Sequence, residues 1–191
     1  MSNIKDFMIF KPSYDYIDDG HFHGILSKFN PLTTTLKKGW QIDPRFKPLS
    51  CDIIFEKDVA VKMRDGITLY VDVYRPVTDE KVPVIVSWSP YGKSAGTAPR
   101  YTNLFAMIGI PDSQLSGLHK FEGSDPAYWC EQGYAVCNPD TRGIAHSEGD
   151  IFTIGSQEAH DGYDLIEWLG VRDWCNGKVA LSGTSYLAFS Q

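Results

Sequence analysis

The chain has 191 residues, of which 42% are hydrophobic and 13% aromatic, enough for one domain of ordinary size and too apolar for a disordered protein. Its net charge of −6, with no window dense in Lys and Arg, argues against nucleic acid as a partner. No apolar run approaches the roughly 18 residues that span a bilayer, and the N-terminus lacks the pattern of a secretory signal. We therefore expect a cytoplasmic protein with no membrane partner.

Residues 1–50 are rich in Tyr, Phe, Pro and His without a sustained helix or strand period, and we interpret them as an N-terminal extension or arm. His21 and His23 stand beside two aspartates, but an isolated H-x-H in a loop is usually incidental, and we predict no metal site there. The cysteines follow no zinc-like spacing and are expected to be reduced, partly buried thiols. They are Cys51, Cys130, Cys137 and Cys175.

From Cys51 onward the pattern changes to strands. The runs "IIFEKDVAVKM" and "ITLYVDVYRP" are joined by Asp65-Gly66, a strong hairpin turn signal, and the second run ends at Pro76. Within the second run, apolar residues at 69, 71 and 73 alternate with Tyr70, Asp72 and Tyr74. This alternation predicts one half-exposed face, as in an antiparallel pair at the edge of a sheet.

Three apolar runs then alternate with helical or polar segments. The runs "VPVIVSW", "YAVCNPD" and "GKVALSG" are typical of buried parallel strands, and a long irregular connection is expected over residues 95–125. Strands that alternate with helices in this way predict a mainly parallel α/β sheet with the antiparallel pair in front.

Two helices are predicted between these strands. "DPAYWCEQ" can begin a helix with Asp125 as N-cap and Pro126 at the first helical position. "SQEAHDGYDLIEWLG" reads as a second helix with Ser156 as its cap and Glu158 and Asp161 facing the positive end of its dipole. Its buried stripe consists of Leu165, Ile166 and Leu169.

The last stretch, "VALSGTSYLAFSQ", places Ser185 between a strand and a helix. A serine hydroxyl must project from a rigid site to act as a nucleophile, and a tight strand-to-helix turn provides one if the flanking residues are small, as Gly183 is. The helix N-terminus beyond it directs backbone N–H groups at a developing oxyanion. A Gly-Ser turn without chemistry is the alternative on this local pattern.

From about residue 52 to the end, the chain resembles the family of cocaine esterase and the Xaa-Pro dipeptidyl-peptidases, serine hydrolases of α/β-hydrolase fold. The stretches that carry the resemblance are "VKMRDGITLYVDVYRP", "SPYGK", "GYAVCNPDTRGIAHSEGD", "WCNGKV" and "GTSYLA". By position, the resemblance implies that Ser185 is the nucleophile, that the Tyr91 hydroxyl is one oxyanion-hole donor and that the Tyr186 backbone N–H is the other. Leu187 stands where the general motif has glycine, and Ala188 where the family has it.

The resemblance also implies an Asp and a His after the serine, and only "YLAFSQ" follows it. His146 is the least implausible substitute for the base, although it and His160 are more readily interpreted as structural or solvent-facing. Asp140 and Arg142 are predicted to form an ion pair that braces their loop. We therefore expect 51–191 to be the N-terminal portion of an α/β-hydrolase domain, truncated after the nucleophile turn.

Such a portion would hydrolyse an ester or amide through an acyl-enzyme, with no cofactor or metal, only when the missing acid and base are supplied. A complementing C-terminal polypeptide is one possible source. The run "VALSG" is then expected to form an unpaired apolar edge. The alternatives are a non-catalytic binding module that keeps the turn as scaffold, and a minimal esterase that uses His146.

Overall fold

The computed structural model describes residues 28–97 and 99–191, which form a six-stranded mixed sheet in the order β1-β2-β3-β5-β4-β6. The strands are β1 (Leu32–Leu36), β2 (Ile53–Lys62), β3 (Thr68–Pro76), β4 (Val82–Val86), β5 (Ala135–Asp140) and β6 (Cys175–Leu181). The helices are α1 (Pro99–Met107), α2 (Pro126–Glu131), α3 (Ser156–Gly170) and α4 (Tyr186–Phe189).

One half of the sheet is antiparallel. β2 and β3 form the predicted hairpin across Asp65-Gly66, and β3 continues antiparallel onto β5. β1 pairs antiparallel with β2, although it lies within the segment whose sequence shows no strand period. The central run of three threonines (33–35) favours a strand because β-branched side chains suit a pleated surface.

The prediction of a half-exposed face on β3 is wrong, since Asp72 and Tyr74 are both fully buried. The ring of Tyr74 stacks on Phe55 with 4.5 Å between centroids, in a cluster that also contains Leu36, Leu49 and a cysteine of α2. Segments before and after the hairpin therefore cover this face, and β1 extends the sheet beyond β2.

The other half of the sheet is parallel, as predicted. β4 lies between β5 and β6, with Val84 opposite Ala135 on one side and opposite Val179 on the other. Helix α3 covers one face of the sheet, since its Leu165 and Leu169 are fully buried in a cluster with β3, β4 and β5. The carboxyl ends of three parallel strands consequently meet at one edge, where α/β sheets place their ligands.

The structure differs from the prediction for one connection and for one helix cap, and it confirms a second helix cap. The connection over 95–125 is not wholly irregular, because it contains α1. Helix α3 begins at Ser156 itself, with Gly155 as a cap that makes no side-chain hydrogen bond. Asp125 caps α2 as predicted, since its side chain accepts a hydrogen bond from the Ala127 N–H at 2.9 Å.

Candidate active site

Ser185 lies at a strained bend between β6 and α4. Its φ of 56° and ψ of −121° fall in a region that L-residues rarely adopt, and its side chain is exposed. The bend is closed by hydrogen bonds from the Leu187 N–H to the Thr184 carbonyl at 3.1 Å and from the Ala188 N–H to the Ser185 carbonyl at 3.0 Å. The predicted strand–turn–helix is therefore present, with the serine at its tip.

Gly183 allows α4 to approach β6 closely. A methyl group built on Gly183 would lie within 3.0 Å of three side-chain carbons of Leu187, which is closer than real Cβ atoms approach a neighbour. Leu187, which replaces the usual glycine of the motif, is fully buried and fills this space. The small residue predicted before the serine is thus required by packing.

Tyr91 reaches the serine from the loop that follows β4. Its ring packs against Phe121 and Tyr186, with centroid separations of 5.3 and 6.0 Å, and its hydroxyl forms a side-chain hydrogen bond with Ser185. Burial raises the pKa of Tyr91 and the negative charge of Glu122 raises it further, while the contact with Ser185 lowers it. The phenol is therefore held in its protonated form, which can donate a hydrogen bond.

Glu122 is a site residue that the sequence did not reveal. Its carboxyl group forms a side-chain hydrogen bond with Ser185, its carbonyl accepts from the Thr184 N–H at 3.3 Å, and its φ is 60°. Burial raises the pKa of Glu122, and its Oε2 atom is buried without a partner in the described part of the chain. No local pattern marks this residue, because the contact joins segments that are 63 residues apart in number (185 − 122).

The side chains of Glu158 and Tyr186 form a second, partly buried contact next to the bend. The Tyr186 hydroxyl lies 3.0 and 2.9 Å from the two oxygens of the Glu158 carboxylate. Burial, followed by this contact, raises the pKa of Tyr186 to about 12. Glu158 lies in the first turn of α3, as predicted, and it is in addition buried and bound to neighbouring segments.

The predicted ion pair between Asp140 and Arg142 is wrong. Arg142 instead binds Asp161 of α3 through two hydrogen bonds of 2.8 and 2.7 Å, and Asp65 of the hairpin turn at 2.7 Å. The Asp140 carboxylate accepts the Lys93 N–H at 2.6 Å and so holds the loop that carries Tyr91. Proximity in sequence favoured Asp140, whereas the observed partners are 19 and 77 residues away from the arginine.

Lys120 is buried directly below that loop. Its ammonium group donates to the Ser89 carbonyl at 2.7 Å and to the Pro139 carbonyl, so that it joins the ends of β4 and β5. Burial lowers the pKa of Lys120 and raises that of Asp140. The two strand ends that frame the site are thus held by buried polar groups.

His146 and His160, the histidines considered as substitutes for the base, lie in different surroundings. The ring of His146 packs against Phe29 with 4.6 Å between centroids, and His160 is exposed on α3. His21 and His23 lie outside the described residues. Within 28–97 and 99–191, no group of three or more His, Cys, Asp or Glu side chains could hold a metal ion, and all four cysteines are free thiols.

No helix among the described residues is long and apolar enough to cross a membrane. The sheet order, the parallel strands that converge at one edge, and the serine on a strained bend after β6 together define an α/β hydrolase.

Comparison with known proteins identifies the family. Residues 65–191 match the model of the X-Pro dipeptidyl-peptidase (S15) family, so the chain belongs to this family of serine hydrolases. It is 36% identical over 134 residues to the cocaine esterase of Rhodococcus sp., a match that covers 70% of this chain and 20% of that protein. It is 33% identical over 134 residues to a putative Xaa-Pro dipeptidyl-peptidase of Bacillus anthracis, over 61% of this chain and 22% of the relative.

Solved structures agree with this assignment. A CocE/NonD family hydrolase from Staphylococcus aureus matches with a TM-score of 0.65 and 36% identity, over 73% of this chain and 24% of that one. An α-amino acid ester hydrolase matches with a TM-score of 0.54 and 26% identity, over 72% and 22%. The chain thus spans about a fifth of the length of the curated relatives it matches.

Proposed function

We propose that the protein is a serine hydrolase that cleaves esters or amides through an acyl-enzyme at Ser185. The observation that carries the proposal is the strained φ of 56° at Ser185, whose exposed hydroxyl contacts the phenol of Tyr91. Strain of this kind persists where the surrounding structure enforces it, and it concentrates at functional sites. The family and the names of the relatives support an ester or peptide substrate.

In this mechanism, Ser185 Oγ forms a bond to the acyl carbon while its proton passes to a base. The Tyr91 hydroxyl and the Tyr186 backbone N–H donate hydrogen bonds to the oxyanion. The carbon–heteroatom bond then breaks, the leaving alcohol or amine takes the proton, and water hydrolyses the acyl-enzyme by the same steps in reverse. None of these steps calls on a metal or cofactor.

The proposal includes a base and an acid from outside the described residues. The hydroxyl of Ser185 contacts Tyr91 and Glu122, whereas His146 packs on Phe29. We propose that the missing groups come from a longer polypeptide that contains this chain or from a complementing C-terminal polypeptide, and that the 191 residues alone are inactive. We further propose that residues 1–50 form an arm and residues 51–191 form the hydrolase portion. The proposed location is cytoplasmic, without nucleic-acid or membrane partners.

The test is covalent labelling by a fluorophosphonate together with turnover of a p-nitrophenyl ester. Both are measured on this chain and on any longer polypeptide that contains it. The Ser185→Ala variant should lose labelling and turnover by about three orders of magnitude or more, while the matched variant Ser182→Ala, at the end of the same strand, should retain both.

Other outcomes distinguish the alternatives. A wild-type polypeptide that carries the late acid and base, is folded and yet labels no faster than Ser185→Ala would refute the hydrolase and favour a non-catalytic binding module. Turnover by the 191 residues that disappears in both Ser185→Ala and His146→Ala would instead establish a minimal esterase.

A further inference from the structure

Glu158 joins three segments beneath the bend. It lies in the first turn of α3, its side chain is buried, and its carboxylate accepts hydrogen bonds from three donors. The Trp88 indole N–H donates to Oε1 at 3.0 Å, the Ile154 backbone N–H donates to Oε2 at 2.6 Å, and the Tyr186 hydroxyl contacts both oxygens. Each donor belongs to a loop or turn at the edge of the sheet where the site lies.

The nature of these donors indicates a role in positioning. All three are neutral, and no Lys or Arg of the described residues forms an ion pair with Glu158. Both oxygens of the carboxylate are therefore satisfied by donors from other segments. Because these hydrogen bonds are directional, they fix where each donor stands.

Two of the donors lead to the proposed oxyanion hole. Tyr186 follows Ser185, so a contact at the far end of its ring restricts rotation of the peptide N–H next to the nucleophile. Trp88 stands three residues before Tyr91 (91 − 88) and two residues after the end of β4. The Trp88 carbonyl also accepts the Ser190 hydroxyl at 3.3 Å, which joins the same strand end to α4.

We infer that Glu158 is a positioning residue for the oxyanion hole. Through its contacts with Tyr186 and Trp88, it holds in place the Tyr186 N–H and the strand end before Tyr91. The inference rests on the proposed function, since it concerns the same site. Glu158 itself does not reach the reacting atoms; its effect passes through the two aromatic side chains.

The first experiment needs no activity and uses the 191-residue chain. Hydrogen exchange at the Leu187 amide, which donates to the Thr184 carbonyl across the bend, is measured in wild type, in Glu158→Gln and in Glu167→Gln, an exposed acid on the same helix that serves as the control. Glutamine keeps the shape but removes the charge and presents an N–H₂ group to one of the donors. We expect exchange at residue 187 to accelerate at least about tenfold in Glu158→Gln, beyond any change at the amides of β5, and to be unchanged in Glu167→Gln.

The second experiment measures turnover in a longer polypeptide that proves active. Misplacing one oxyanion donor should lower kcat about 10- to 100-fold in Glu158→Gln while KM changes less than about twofold. Tyr186→Phe removes only the hydroxyl and should lower kcat in the same direction. Because both changes break one contact, the double variant should lose little more than the worse single variant.

The outcomes separate the inference from the proposed function. Unchanged relative exchange at residue 187 in a folded Glu158→Gln protein would overturn the inference whether or not the protein is an enzyme. A proportional loss of activity and folded fraction, or fully additive effects in the double variant, would also overturn it, since both indicate a general structural role. Faster local exchange in a chain whose Ser185 proves unreactive would uphold the contact and refute the hydrolase.

Discussion

Replacement of Gly183 by alanine tests whether the close contact between β6 and α4 creates the bend at Ser185. The added methyl would lie within 3.0 Å of the Cβ, Cγ and Cδ2 atoms of Leu187, and Leu187 is fully buried. Overpacking of a tight core costs about 1–3 kcal/mol. We expect a loss near 3 kcal/mol, because the Leu187 Cβ is fixed to the backbone and cannot rotate away as a side-chain end would.

A matched control comes from the same molecule. Gly162 lies inside α3, and a methyl there would be 3.9 Å from Trp88, an ordinary contact distance. Gly162→Ala should therefore stabilise the protein by about 0.5–1 kcal/mol, as expected for alanine in a helix interior. The two Gly→Ala changes should thus have opposite signs.

The assay is urea denaturation, with thermal scans as a second measure. A loss of 3 kcal/mol in a domain of this size corresponds to a decrease in Tm of about 6–12 °C. Truncation of Leu187 to alanine should not rescue Gly183→Ala, because the Cβ atom that causes the contact remains and the shortened side chain leaves a cavity.

Two results would refute this reasoning. The first is a Gly183→Ala protein within about 0.5 kcal/mol of wild type, which would mean that the bend yields to the methyl group. The second is recovery of stability in the double variant Gly183→Ala/Leu187→Ala, which would place the conflict at the side-chain end alone.

Three further predictions concern buried or strained groups. Arg142→Met should cost about 3–5 kcal/mol in urea denaturation because it leaves the buried carboxylate of Asp161 unpaired, whereas Arg64→Met, in an exposed pair, should change stability little. Burial lowers the pKa of Lys120. Between that pKa and the usual value of 10.5, the unfolded chain binds more protons than the folded chain, so the free energy of unfolding rises with pH. Lys120→Met should lack this part of the rise when urea denaturation is measured at a series of pH values. Ser185→Gly should stabilise the chain by about 1 kcal/mol in the same assay, since glycine tolerates a φ of 56°, and equal or lower stability would show that the serine is unstrained.

Local signals account for the parts of the fold that the sequence predicted. Asp65-Gly66 specifies the hairpin and Asp125 caps α2, because turns and caps depend on a few adjacent residues. The burial of Asp72 and Tyr74 could not be predicted in the same way. It depends on segments elsewhere in the chain that cover this face, and alternation within one strand carries no information about them.

The candidate site likewise contains some residues that local motifs predict and others that they do not. Ser185 and Tyr91 could be proposed from motifs, and the structure brings their side chains into contact. Glu122 and the contacts of Glu158 could not be predicted, since each acid meets its partner only after the sheet has assembled. Acidic residues in a loop or at a helix start are common, so their types alone indicate solvent exposure or a favourable helix dipole.

The distribution of backbone strain links the two parts of the site. Among the described residues, six non-glycine residues have positive φ: Lys28, Asp58, Glu122, Ala145, Ile154 and Ser185. Four of these converge on the site. Ser185 is the tip of the bend, Glu122 contacts its hydroxyl, Ile154 donates to Glu158, and Asp58 binds Lys93 in the loop of Tyr91 at 2.7 Å. Each such conformation costs about 1–3 kcal/mol, and a turn that only ended a strand could avoid the cost with glycine. Ile154 contributes only its backbone N–H, but Ser185, Glu122 and Asp58 make side-chain contacts that glycine could not, and those contacts best explain the strain at these three positions.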